Sequence, residues 1–268
     1  QLVAMREDLL EALHEDPWLA AVDADFRHLF GSWFNRGFLA LQRIDWSTPA
    51  HILEKIIQYE AVHAITSWDD LRLRLEPADR RCFAFFHPAL VGEPLIFVEV
   101  ALTTEVPGAI APLLGSGRVP VAPERATTAV FYSISNCQRG LRGISFGNFL
   151  IKQVAEDLKR ELPSLTTFVT LSPLPGFCRW LAAQHGENGA SVDAAIGPLL
   201  DPLRRTDWHR NPSKGLRDAL SRAALRYLLD AKDPAGKPID SVARFHLGNG
   251  ARLERLHWMA DTSEKGLG

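Results

Sequence analysis

Cysteine is scarce in this chain. Only Cys82, Cys137 and Cys178 occur, widely spaced and without a C-x-x-C pair. An odd, scattered set excludes a disulfide framework and a structural zinc site, and fits buried thiols in a reducing compartment. None of the nine histidines sits in H-E-x-x-H or another ligand spacing, so no metal is expected. No run of about 18 apolar residues appears, which excludes an ordinary membrane-spanning helix. An excess of one charge is also missing: 30 Lys and Arg face 32 Asp and Glu, for a net charge of −2. Nothing global therefore draws the chain to nucleic acid or to an acidic membrane, and any anionic ligand needs a local basic patch. Residues 1–12 carry acidic groups that a signal or transit peptide avoids, so a soluble, cytoplasmic protein is expected. The chain opens without an initiator Met inside what already reads as a helix, so an upstream portion, with any targeting signal in it, is expected to be missing.

What remains is ordinary globular material, 268 residues with 46% hydrophobic and 23% charged side chains, enough for a sizeable core. Residues 1 to about 42 place Leu9, Leu10, Leu13, Phe26, Leu29, Phe30 and Phe34 at helical spacings, broken at Asp16-Pro17. Ser47-Thr48-Pro49 then predicts a helix start, with Ile52, Leu53, Ile56 and Ile57 on one face of a helix over 51–63. From Arg81 the period changes. The runs 82–86, 95–102 and 128–134 are short, apolar and rich in β-branched and aromatic residues, which predicts neighbouring strands of a mixed sheet. Glycine and proline through 107–123 predict a surface loop. Helices are expected over 148–162, 176–184, 190–203 and 216–229. The alternation in 243–247, an Asn249-Gly250 pair and the run 252–258 predict a closing β-hairpin.

The most informative stretch is 127–180. An apolar strand (AVFYSISN) leads into the basic glycine turn Gln138-Arg139-Gly140-Leu141-Arg142-Gly143, then a long amphipathic helix, a second strand (TTFVTLSP) and another helix after Pro175-Gly176. A strand that ends in a glycine turn and feeds a helix aims backbone N–H groups and the positive end of the helix dipole at one point, which suits a phosphate. Gly140 and Gly143 would let the backbone approach a pyrophosphate while Arg139 and Arg142 neutralise it. The residues alone leave open a plain strand-to-helix turn with solvated arginines.

Ser172 stands between an apolar strand and a helix start. A nucleophile, a hydrogen-bond donor or a helix cap all fit it. A nucleophile elbow is disfavoured, because G-x-S-x-G is absent and Pro173 has no N–H to offer an oxyanion. His246, read as a strand residue alternating with Phe245 and Leu247, would project to the polar face with Arg244, where a surface histidine is the simple alternative.

Taken together and in order, FYSIS, Q-x-G-L-x-G, FLIK, LSPLPGF, FHLGNGA and HWMAD closely resemble the malonyl-CoA decarboxylase family over about residues 60–261. The resemblance implies an α/β (α+β) fold: a GNAT-like mixed β-sheet flanked by helices and preceded by a helical segment. It implies that 1–41 is the end of a helical oligomerisation domain and 42–268 a GNAT-like catalytic domain, incomplete at its C-terminus, where the family continues with a segment bearing a tyrosine. The implied activity is decarboxylation of malonyl-CoA to acetyl-CoA and CO2, without a separate cofactor, in a homo-oligomer of two or four chains. By resemblance Ser172 and His246 are the catalytic pair, and residues 138–143 bind coenzyme A. Asn249, Gly176, Phe177 and Ser145 are expected to bind substrate, Ser145 standing where some members carry a carboxylate. His257 is expected in a supporting role. A GNAT-type N-acyltransferase and a non-catalytic acyl-CoA sensor are the alternatives.

Overall fold

The computed structural model describes residues 1–144, 147–184, 202–203 and 205–267. They fall into two compact units, one of Gln1–Pro107 with Leu113–Leu171, the other of Gly108–Pro112 with Ser172–Gly268.

The first unit is built on a five-stranded sheet whose spatial order follows the chain: β1 (Ala40–Ile44), β2 (Arg80–Phe86), β3 (Pro94–Thr103), β4 (Thr128–Asn136) and β5 (Thr167–Thr170). The first three pairings are antiparallel and β4–β5 is parallel, so the sheet is mixed, as the strand-rich runs predicted. A parallel neighbour needs a crossover. Here that crossover ends in helix α6 (Gly147–Glu161), whose Leu150, Val154 and Leu158 are fully buried. Alternation along β2 divides the core into two layers. Phe83 and Phe85 pack with the α6 residues and with Val98, Val100 and Phe131. Cys82, Ala84 and Phe86 face Ile52 and Ile56 of α3 (Ala50–Tyr59) and Leu71 of α4 (Trp68–Leu75). Each such buried aliphatic or aromatic side chain contributes roughly 1.5–3 kcal/mol.

Two elements here escaped the sequence pattern. Strand β1 begins at Ala40, inside the segment read as helical; it is a mostly exposed edge strand specified by its pairing with buried β2. Helix α4 has a legible start, since Ser67 accepts from the N–H of Asp70 and Asp69 and Asp70 occupy its first turn. The loop 107–123 is not wholly at the surface: Ile110 and Leu113 are buried and a short helix, α5 (Ala111–Leu114), interrupts it. Helices α1 (Leu2–Ala12) and α2 (Ala20–Trp33) complete the unit, with Val3, Phe30 and Phe34 in the core that α6 covers.

The second unit is helical: α7 (Phe177–Ala183), α8 (Lys214–Leu229), α9 (Ser241–Gly248) and α10 (Glu264–Leu267). Leu181, Leu216, Leu220 and Ala223 form one cluster, and Tyr227, Leu228 and Ala243 another. The predicted hairpin is overturned. Residues 243–247 lie in α9, and Asn249-Gly250 ends that helix instead of turning a hairpin. Asp240 Oδ1 caps its start by accepting from Val242 N–H at 3.0 Å and Ala243 N–H at 2.8 Å. Gly250, at φ +86°, supplies the left-handed residue of the C-cap, with Gly250 N–H to Leu247 O and Ala251 N–H to His246 O. No regular secondary structure occupies 252–256. Except for Pro202 and Leu203, the helix expected over 190–203 lies outside the described residues. Among the described residues no helix is long and apolar enough to cross a membrane.

Candidate active site

Strand β5 ends at Thr170, paired with Phe131, while β4 runs on to Asn136. Ser172 follows two residues after β5 and opens the second unit, where it is exposed. It caps nothing: α7 begins at Phe177 behind Gly176, with no side-chain cap. Instead Ser172 Oγ lies 3.1 Å from His246 Nε2. Two groups separated by 74 residues thus meet within hydrogen-bond distance.

His246 is in the last turn of α9, half-buried, its ring edge-on to Phe245 at 5.1 Å between centroids. The C-terminal end of a helix favours an imidazolium, but burial works against it, and burial prevails: the pKa is held below its ordinary value of 6.5. Burial thus favours the uncharged ring, which presents one donor and one acceptor nitrogen. A neutral imidazole against a hydroxyl can orient that hydroxyl, accept its proton or relay a proton to a bound acid.

Residues near the pair also make structural contacts. Asn249 Nδ2 donates to Phe245 O at 2.7 Å, which ties it to the helix end beside His246. Phe177 N–H donates to Leu174 O at 3.1 Å, and the Phe177 ring packs on Trp180 and Tyr227. Gly176 is dictated by crowding, since a Cβ there would stand 2.2 Å from Tyr227 Oη. No motif or spacing marks Tyr227, whereas Asp240 ahead of a short helix closed by Asn-Gly is a readable cap signal that went unused. Gly108 comes within contact of His257 Nδ1, a Cβ there lying 3.6 Å away.

In the first unit, the 138–143 turn is shaped by α1. Buried Arg6 donates to Gly140 O at 2.7 Å and to Arg142 O at 2.9 Å, and is paired with Asp23. A Cβ at Gly140 would meet Val3 O at 2.0 Å, so close packing on α1 requires this glycine; its N–H donates to Glu7 Oε1. Gln138 Nε2 donates to Pro94 O at 3.1 Å and Leu141 is in the core. That leaves Arg139, Arg142 and Gly143 at the surface. Arg139 pairs with Glu11 at 2.8 Å, both exposed, and such a pair is worth at most about 1 kcal/mol. Gly143 takes φ +82° and lines a shallow cleft of about 310 Å³ with Arg27, His28 and Gly31 of α2. Ser145 lies outside the described residues. Among the described residues no three His, Cys, Asp or Glu side chains gather as metal ligands.

The family model for the malonyl-CoA decarboxylase C-terminal domain matches residues 37–268, and the one for its N-terminal domain matches residues 1–34. Crystal structures of malonyl-CoA decarboxylase from Rhodopseudomonas palustris and Agrobacterium vitis are 59% and 58% identical, with TM-scores of 0.94 and 0.91. Each covers 99% of this chain, which spans 66% and 65% of theirs. The mitochondrial malonyl-CoA decarboxylases of Anser anser anser and Mus musculus are 36% identical over 293 residues, covering 99% of this chain. This chain spans 58% and 59% of those relatives' length. Since one family model accounts for residues 37–268, more than half of the sequence, the chain belongs to the malonyl-CoA decarboxylase family.

Proposed function

We propose that this chain carries the decarboxylation of malonyl-CoA to acetyl-CoA and CO2, with Ser172 and His246 as the catalytic residues. The observation that carries the reading is the 3.1 Å approach of Ser172 Oγ to His246 Nε2, in a chain of this family. Breaking the bond between the carboxylate and the α-carbon releases CO2 and leaves the electron pair on a thioester enolate, so the substrate is its own electron sink. The enolate oxygen needs a donor, and the α-carbon then needs a proton. Ser172 O–H donates to the developing oxyanion, and the imidazole of His246 holds that hydroxyl in line. His246 then relays the one proton the net reaction consumes from solvent to the α-carbon, and returns to the neutral form that its burial favours. No metal or organic cofactor enters these steps. Coenzyme A's diphosphate is assigned to the Arg139, Arg142 and Gly143 edge of the turn, where Arg139 can exchange its exposed partner Glu11 for phosphate.

The test is CO2 and acetyl-CoA formation from malonyl-CoA by the full-length protein, with no metal or cofactor added. Turnover lost in Ser172→Ala and in His246→Asn is the expected result. Near-normal turnover in either variant refutes the pairing. Acetyl transfer to an added amine without CO2 release would establish an acyltransferase instead, and coenzyme A binding without turnover a sensor.

A further inference from the structure

We infer that Tyr227 is a positioning residue that sets the separation of Ser172 and His246, acting through Asp240 on one side and Gly176 on the other; this rests on the catalytic reading above. Tyr227 comes from α8, is 2% exposed, and packs its ring against Phe177 at 5.7 Å and Trp180 at 5.3 Å, both in the helix that follows Ser172. Its hydroxyl donates to Asp240 Oδ2 at 2.9 Å. Burial, reinforced by that hydrogen bond, pushes the phenol's pKa up, so it remains a donor throughout the working pH range.

Asp240 is 2% exposed and divides its two oxygens. Oδ2 receives Tyr227, while Oδ1 holds the first turn of α9 through the N–H groups of Val242 and Ala243. His246 is six residues further along the same helix, so the azimuth and height of its ring follow from where Asp240 is held. On the other side, Gly176 lies four residues after Ser172 and against the same hydroxyl: a Cβ would sit 2.2 Å from Tyr227 Oη and 3.6 Å from Asp240 Oδ2. One buried hydroxyl is therefore the fixed point between the segment that carries the alcohol and the helix that carries the imidazole. A misplacement of about 1 Å between reacting groups can cost on the order of 100-fold in rate.

Tyr227→Phe, in the full-length protein, keeps the ring and removes only the hydroxyl. The kcat for CO2 release is expected to fall about 10- to 100-fold with KM changed less than about threefold. The NMR titration of His246 should move up toward 6.5 as the pair loosens and water enters. Asp240→Asn, which preserves a good N-cap, should give the same two changes, and the double variant should lose no more than the worse single one. The titration reads the imidazole whether or not malonyl-CoA is the substrate, so an inactive wild type would overturn the catalytic reading while leaving this one measurable. Unchanged kcat with a superposable His246 titration in Tyr227→Phe, or additive losses in the double variant, would overturn it.

Discussion

In the sheet unit, β2 and β3 bury every residue except Thr103, and their large side chains are mostly Phe, Leu, Ile and Val, with Arg80, Arg81 and Glu99 also buried. In the unit that contains Ser172 and His246, Tyr227 and Asp240 are each 2% exposed; the Tyr227 ring packs on Phe177 and Trp180, and its hydroxyl reaches the Asp240 carboxylate and crowds Gly176. The first unit rests mainly on buried apolar area, with buried polar contacts such as Arg74–Glu99 and Arg6–Gly140 set into it; the second has smaller apolar clusters, and around its reactive pair a few directional contacts stand out. Area tolerates substitution when volume is kept, whereas a directional contact fails when one atom moves. The reactive pair belongs to the second kind of unit, where a small displacement changes chemistry before it changes stability.

The sharpest way to break that contrast is at the pair itself. Ser172→Ala and His246→Asn should each lower kcat about 100-fold or more while the thermal midpoint stays within a few degrees, read by CO2 release and calorimetry. Two glycine substitutions then compare the units directly. Gly140→Ala forces a methyl onto the backbone carbonyl of Val3, which cannot rotate away, so it should cost about 1–3 kcal/mol of stability. For a chain of this size the midpoint falls by roughly 2–4 °C per kcal/mol. Gly176→Ala presses instead on the tip of the Tyr227 side chain, so turnover should drop more than the midpoint does. The reverse ranking would remove the distinction between the units.

Smaller effects follow from two buried titrating groups. The acid limb of kcat/KM should have its midpoint below 6.5 and should vanish in His246→Asn; a limb at or above 6.5 would contradict the burial of that ring. Because the folded-state pKa is depressed, the unfolded chain takes up the proton first, and stability should decline as pH falls below 6.5. In the sheet unit the sign is opposite. Complete burial, with the Glu60 carboxylate nearby, pushes Glu99 up to about 8 although Arg74 donates to it at 2.9 Å. The folded chain holds that proton longer than the unfolded one, so stability should fall as pH rises from about 4.5 toward 8 and level off above. Glu99→Gln should flatten that slope in denaturant titrations across the same range.

Strands β2 to β5 and helices α6, α7 and α8 were legible because each carries its own periodicity or caps. Buried apolar runs and an inward face repeating through Leu150, Val154 and Leu158 are local facts. Strand β1 was not, since an exposed edge strand has little pattern of its own and is defined by its neighbour. The segment 243–247 misled for another reason. Ala243, Phe245 and Leu247 alternate as a strand would, and Asn-Gly serves a hairpin and a helix end equally well; Asp240 decided the matter by capping, with Tyr227 holding it from 13 residues away.

The order of motifs along the chain carried the family resemblance, and that resemblance, not residue type or spacing alone, singled out Ser172 and His246. Sequence also determined the mixed sheet, because apolar periodicity is set by nearest neighbours. Only the tertiary structure decided that Ser172 and His246 meet, that Gly140 is a packing residue against α1, and that burial holds the His246 pKa below its ordinary value. Those three depend on contacts between segments far apart in the chain, and on how much water their packing leaves at each polar atom, which no local pattern encodes.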